Sequence, residues 1–377
     1  MKAIRLWAVA RKEFLHIIRD PRSLGMALAI PILLLILFGY ALTMDVDRVP
    51  LVIWDQSGTP ASREFLSRFV GSRYFSLQEY VLGYGELERA IDSRNALVAL
   101  VVPSDFAGRL DAGRPATVQM IVDGSDSTTA TLAMGYAEST AETYSRQISL
   151  RQMRRITTRA PDPPLDLRPR VWFNADLESK NYIVPGLIAV ILMVIAALLT
   201  SLAVAREWER GTMEQLISTP VQVRELVLGK LLPYLVVGFL DALLAILMST
   251  WVFHVPLRGS IALLLVVITI FLVAAMALGM LVSIVSRSQL LASQMAMILT
   301  FLPGFLLSGF VYEISSMPKA VQIVTYVVPA RYFVSLLRGI YLKGTGLNEL
   351  AGEVFLLILF GAVILTVALQ KFKKKLE

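Results

Sequence analysis

Few residues of this chain are placed to do chemistry. It has no cysteine and only two histidines, His16 and His254. That removes disulfides, thiolate metal sites and cysteine nucleophiles, and leaves little for a histidine triad or metal centre. There is no G-x-x-x-x-G-K-[ST] phosphate loop, since Gly229-Lys230 lacks both the earlier glycine and the following Ser/Thr. Neither a G-x-S-x-G elbow nor an H-E-x-x-H helix occurs. Asp123 and Asp126 pair two carboxylates, but Asp123-Gly124-Ser125-Asp126 reads as a turn into a helix N-cap rather than a metal site. The expectation is a chain with no catalytic, cofactor or metal residues of its own. Such a chain cannot easily harvest energy by itself.

Two charged features remain. Asp241 is the one acid deep inside an apolar run, and ionisable residues in such runs are functional candidates. It could line a polar cavity, bind a cationic substrate, relay a proton, or simply be neutral or paired with a neighbouring helix. The second feature is Ala205-Arg206-Glu207-Trp208-Glu209-Arg210-Gly211-Thr212-Met213-Glu214-Gln215-Leu216, followed by Ile217-Ser218-Thr219-Pro220. Arg206 and Arg210 stand four apart, as do Arg210 and Glu214, in a helix-forming stretch at the edge of an apolar run. Snorkelling arginines account for part of it. Three glutamates beside a lipid surface are better explained by a docking face for a second protein.

The elements that position these residues follow from the composition. The chain has 377 residues, 56% hydrophobic and only 17% charged, which excludes a wholly soluble protein and a disordered one. A spanning helix needs about 20 apolar residues. Leu24–Met44, Tyr182–Ala205, Leu226–Val252, Ile261–Val285 and Leu290–Val311 qualify; Val354–Leu369 is short and extendable through Leu350 to Gly352. Lys2, Arg5, Arg11, Lys12, Arg19 and Arg22 precede the first run; Arg206, Arg210 and Arg224 follow the second; Arg287 follows the fourth; and Lys371, Lys373, Lys374 and Lys375 follow the last. With six spans all of these fall on one side, which is therefore cytoplasmic, with both termini inside. The net charge of +7 then reflects topology and anionic lipid rather than nucleic acid.

Between the first two spans lies a large insert, 45–180, on the opposite side. Pro50–Asp55, Phe75–Tyr80, Ala96–Val102 and Thr117–Val122 read as strands. Ala61–Val70, Gly85–Ser93 and Asp105–Ala112 read as helices, and a long helix over Ser127–Thr158 reads as a stalk ended by Pro161, Pro163 and Pro164. Ala3–Arg19 is a basic amphipathic helix suited to the cytoplasmic interface, with Ala3, Trp7, Ala10, Phe14 and Ile17 on one face and His16 on the solvated one. Val321–Leu342 is long and apolar but broken by Pro329, Arg331 and Arg338, which fits a helix pair dipping in from the outer face. Ala275, Gly279 and Ser283 follow the small-xxx-small spacing of closely packed helices.

The run from Ala205 to Leu216 resembles the cytoplasmic coupling segment of ABC-2-type permeases, the membrane subunits of ATP-binding-cassette exporters. Arg11-Lys12-Glu13 through Arg19-Asp20-Pro21-Arg22 resembles that family's elbow helix, Pro303-Gly304 through Leu307-Ser308-Gly309-Phe310 its fifth span, and Tyr326–Tyr332 its re-entrant segment. The insert points to the multidrug-exporter-like subgroup of the bacterial inner membrane. The resemblance implies an α-helical integral membrane protein in which 1–22 is the elbow helix, 23–44 the first span, 45–180 an extracytoplasmic α/β domain, and 181–377 the remaining bundle, with a coupling segment at 206–220 and a re-entrant segment at 313–349. It implies a homo- or heterodimer of permeases above two separate ATPase subunits, which would hold the ATP and Mg²⁺. Arg206, Glu207, Glu209, Arg210, Gly211, Thr212, Glu214 and Gln215, with Arg11, Lys12, Glu13, Arg19 and Asp20 of the elbow, would receive the motion. Asp241, Pro303, Gly304, Ser308 and Gly309 are the pathway candidates. Cargo is expected to be hydrophobic or amphipathic, and the insert would cap the exit or meet a periplasmic partner. Two other readings stay open: an ion- or proton-coupled antiporter using Asp241, and an envelope scaffold moved by an ATPase without transport.

Overall fold

The computed structural model describes residues 2–41, 48–125, 127–156, 172–174 and 178–372. The expected end of the first span at Met44, Asp126 of the turn, Pro161, Pro163 and Pro164, and Lys373, Lys374 and Lys375 lie outside those residues. The chain divides into two compact units, one of Asp45–Pro169 and one of Met1–Met44 with Arg170–Glu377. The division falls ahead of Lys180. Residues just before the second long helix are stapled to its start: the Asn174 side chain donates to Glu178 O at 3.0 Å and accepts from Asn181 Nδ2 at 2.9 Å.

The chain opens with α1, Ala3–Ile18, and α2, Pro21–Ala41. The insert then runs β1 (Val49–Asp55), α3 (Pro60–Val70), β2 (Phe75–Tyr80), α4 (Tyr84–Asp92), β3 (Val98–Val102), α5 (Phe106–Asp111), β4 (Gln119–Val122) and α6 (Ser127–Ile156). Its sheet has the order β2-β1-β3-β4. The first three strands are parallel and β4 is antiparallel to β3. Every residue of β3 is buried, as a strand covered on both faces requires. Leu51, Ile53 and Leu100 share a core with Phe65 and Phe69 of α3 and Phe106 of α5. Val52, Ala99 and Val101 pack on the other face with Leu87 and Ala90 of α4. Thr59 and Ser62 form a reciprocal capping box that starts α3.

The stalk expected at Ser127–Thr158 is, over much of its length, a layer of the insert. Ala133, Ala137 and Tyr144 of α6 are buried in the α3-side core, with Ile148 packed against it. Their spacings of four, seven and four residues give the helix an apolar stripe that must be covered.

The second unit continues with α7 (Ser179–Glu209), α8 (Met213–Ser218), α9 (Val223–Trp251), α10 (Ile261–Ser286), α11 (Gln289–Leu306), α12 (Lys319–Thr325), α13 (Pro329–Arg338), a π turn (Gly339–Lys343) and α14 (Leu347–Lys371). By length and composition α7, α9, α10, α11 and α14 can each cross a membrane, and Ala27–Ala41 of α2 forms a shorter apolar helix. The pair α12 and Pro329–Lys343 bends by 87° at its break. The helical part of the expected run Leu290–Val311 stops at Leu306. Pro303 removes one ladder donor, and Gly309 adopts a φ of +82° that ends helical geometry. The last helix is longer than Val354–Leu369, because Glu349 caps its start by accepting from Gly346 N at 2.8 Å.

Nearly all of α7 is buried, and it packs against α2, α9, α10, α11 and α13. Its closest neighbour is α10. Thr200 Oγ1 donates to Met276 O at 3.1 Å, and Ser283 Oγ accepts from Val204 N and Ala205 N at 3.0 and 2.9 Å. A Cβ at Gly279 would collide with the Thr200 side chain and the Ala197 backbone. The small-xxx-small spacing therefore serves packing, as its residue types imply. Gly279→Val is expected to lower stability by at least about 1–3 kcal/mol through overpacking. Thermal unfolding of the purified protein in detergent, compared with wild type, measures it.

Candidate coupling site

Charged residues gather where the C-terminal end of α7 meets the N-terminal end of α9 and the elbow helix α1. Lys230 lies within the second turn of α9 and is 1% exposed. Its ammonium donates to Glu13 Oε1 at 2.5 Å, to Ala203 O at 3.1 Å and to Glu207 Oε1 at 3.2 Å. An ammonium has three donors, and all three are used. Glu207 also accepts from Lys12 Nζ at 2.7 Å and from Thr212 Oγ1. One buried cation thus ties together α1, α7 and α9. Their close approach needs Gly229, where a Cβ would fall 2.9 Å from Val9 Cβ and 3.0 Å from Leu6 O.

Further bonds hold the elbow in place. The buried Glu225 accepts from Lys2 N at 2.6 Å and from Gln222 N at 3.0 Å, capping α9 while binding the start of the chain. Arg5 donates to Pro220 O. Arg206 Nη1 lies 2.8 Å from His16 Nε2; a guanidinium only donates, so the imidazole nitrogen accepts. His16 is therefore a half-buried partner of Arg206, where a solvated residue was expected.

The coupling residues divide into two sets. Glu207 and Glu13 face inward and hold Lys230, because a buried ammonium demands counter-charge. Glu209 is exposed but accepts from Gln289 N at 2.7 Å, closing the N-terminus of α11 with negative charge. Gly211 takes a φ of +68°, which only glycine adopts without strain, and it turns the chain from α7 into α8. Met213 is buried and Leu216 packs against the same core, anchoring α8. Arg210, Glu214 and Gln215 are left exposed, with Gly211 beside them. In the elbow, Arg11 and Arg19 are exposed, Asp20 is half-buried, and Lys12 reaches Glu207. Ile4, Trp7, Phe14 and Ile18 form an open apolar face, so Trp7 and Phe14 point away from the bundle. The buried stripe is Val9, Ala10 and Glu13.

The pathway candidates are not brought together. Asp241 is 1% exposed, with neither oxygen partnered among the described residues. Leu35, Ile188, Ile191 and Met248 surround it, and the void beside it measures about 10 Å³, room for at most one water. Gly304 packs toward Val190 and Met193 of α7. Ser308 and Gly309 belong to a separate cavity at the other end of the unit. Lys230, Gly229 and Glu225 did not stand out in the sequence as members of this cluster. A lysine this far inside an apolar run is itself a signal, because it requires a buried acid.

A family model described as ABC-2 family transporter protein matches residues 21–369. The chain is 36% identical to the probable multidrug ABC transporter permease YbhS of Escherichia coli strain K12, over 99% of this chain and 98% of that protein. It is 30% identical to the probable multidrug ABC transporter permease YbhR of the same strain, over 98% and 99%. The inner membrane transport permease YhhJ of that strain is 27% identical over 88% and 86%.

Lys230→Met strands two buried carboxylates and is expected to lower stability by about 3–5 kcal/mol. The triple change Lys230→Met, Glu13→Leu and Glu207→Leu should recover most of that loss. Unfolding temperatures in detergent test both, and a stable single variant would remove the clamp from the account.

Proposed function

The chain belongs to the ABC-2 family of transporter proteins and is a multi-pass inner-membrane permease of an ABC exporter; from that premise we propose how it is threaded and driven. Six spans run through α2, α7, α9, α10, α11 and α14, with the bent pair α12–α13 re-entrant. The contacts between helix ends support this. The ends of α7 and α10, the starts of α9 and α11, and α1 meet at one end of the unit, through Lys230, Ser283, Gln289 and Arg206. The start of α7, the end of α11 and α13 meet at the other, through Tyr182, Gly309 and Arg338. Basic residues dominate the first end, so that end is cytoplasmic. The insert then lies outside.

Separate ATPase subunits dock beneath the first end and push on Arg210, Glu214 and Gln215. The observation that carries this reading is the anchoring of α8 by its own buried Met213 and by its N-cap Thr212, which donates to Glu207 of the Lys230 cluster. A load on the exposed strip is passed to α1, α7 and α9 as one body. Cargo leaves through a dimer of such permeases. It is hydrophobic or amphipathic and includes drug-like compounds, in keeping with the multidrug permeases among the relatives.

The chain has no cysteine, so single cysteines report topology directly. A membrane-impermeant maleimide should label Arg258→Cys in intact cells and Arg210→Cys only after permeabilisation. The reverse pattern overturns the threading. Arg210→Glu with Glu214→Lys should change stability by no more than about 0.5 kcal/mol, as exposed substitutions usually do, yet abolish most stimulation of the partner ATPase. Full stimulation by the double variant counts against docking at α8.

A further inference from the structure

A cavity of about 920 Å³ lies between the end of α11, the bent pair and the first turns of α14. Coupling does not account for it. Arg331 and Arg338, seven positions apart on α13, both line it. Each guanidinium sits over a tyrosine ring: Arg338 Cζ is 3.4 Å from the Tyr182 centroid, and Arg331 Cζ is 3.8 Å from that of Tyr326. Their hydrogen bonds go to uncharged acceptors. Arg338 donates to Gly309 O at 2.8 Å and Phe310 O at 3.2 Å. Arg331 donates to Gln322 O at 3.2 Å and to Thr325 Oγ1. Neither pairs with a carboxylate among the described residues.

A guanidinium carries five N–H donors, so each arginine keeps donors in reserve. Arg338 Nε is buried without a hydrogen-bond partner, and so is Thr345 Oγ1 in the same wall. Capping the end of α11 explains two bonds of Arg338, but it explains neither Nε nor Arg331. Of the acids facing the cavity, Glu349 is committed to the cap of α14. Glu313 and Glu353 make no ion pair within 4 Å among the described residues, Glu313 acts on Arg338 only at longer range, and Lys343 adds a third cation to the lining. Unpaired charge and unmet donors in one wall are costly, and an oxyanion answers both. Leu342 and Leu356 continue the wall as apolar surface.

We propose that this cavity holds the phosphate or carboxylate headgroup of an amphipathic molecule. The anion bridges Arg331 and Arg338, and the apolar part runs along Leu342 and Leu356. Glu313 and Glu353 leave room for an amine, so zwitterionic headgroups are accepted. A phospholipid of the surrounding membrane and a transported amphipath share this chemistry. The proposal deepens the exporter reading by assigning a headgroup class, but binding is read on the isolated permease without any ATPase, so the two fail separately.

The test uses the purified full-length chain in a non-ionic maltoside detergent, which carries no phosphate, carboxylate or amine. Its probes are dihexanoyl phosphatidylglycerol, dodecyl phosphate, dihexanoylglycerol and inorganic phosphate. Saturable binding is expected for the first two only. Arg331→Gln should raise their Kd by about tenfold or more, the loss expected for a charge-assisted hydrogen bond, and Arg331→Lys should restore much of it. Arg331 is the informative site because Arg338→Gln also uncaps α11. Tighter binding of the diacyl probe identifies a membrane lipid as the occupant, and tighter binding of dodecyl phosphate identifies a single-chain cargo. Equal binding of dihexanoylglycerol, binding of inorganic phosphate as tight as that of the amphipaths, or a Kd unmoved by Arg331→Gln overturns the proposal.

Discussion

A lysine ammonium held almost wholly out of water organises one end of the helical unit of this permease. Lys230 is 1% exposed, and a charge so placed persists only with counter-charge and filled hydrogen bonds. Glu13 and Glu207 supply the charge, and the Ala203 carbonyl takes the third donor. Because the acids come from α1 and α7 while the lysine comes from α9, none of the three helices can move away alone. Leaving would strand an ion in an apolar surround. The geometry suits an element that must carry a push from outside the membrane into the bundle without bending.

The same economy separates two kinds of charge within one short stretch. Glu207 serves the interior and Glu209 closes the start of α11, while Arg210, Glu214 and Gln215 are free to meet another protein. Gly211 makes the division possible, since its left-handed backbone redirects the chain so that α8 lies outside the line of α7. The proposed docking strip would therefore sit on a base made from its own immediate neighbours in sequence.

The opposite end is built differently. There the arginines of α13 bond to carbonyls and stack on tyrosines, with no carboxylate paired to them among the described residues. Charge is satisfied at the Lys230 end and left partly open at the other. That asymmetry matches one end made to transmit force and another made to meet a ligand. Asp241, between them, sits among apolar side chains beside a void of about 10 Å³, which offers no room for a hydrated ion.

Much of this was legible in the amino acids themselves. Unbroken apolar runs mark the spanning helices because lipid leaves the backbone no other partner. Short β-like apolar runs between amphipathic stretches mark the strands and helices of the insert, and charges of both signs crowd after Ala205. What could not be read was direction. Glu207 and Glu209 are two positions apart, so they lie about 200° apart around one helix, and composition does not say which faces in. That depends on Lys230 and Glu13, the latter 217 positions from its lysine in the chain. The same holds for α6, whose alanine and tyrosine stripe is a core face only because a sheet lies beneath it, and for α11, which ends early where Gly309 turns. Local pattern determined which segments are helices and where charge concentrates. Only the packing of distant segments decided which of those charges are buried, because the cost of burying an ion is set by whatever the fold brings next to it.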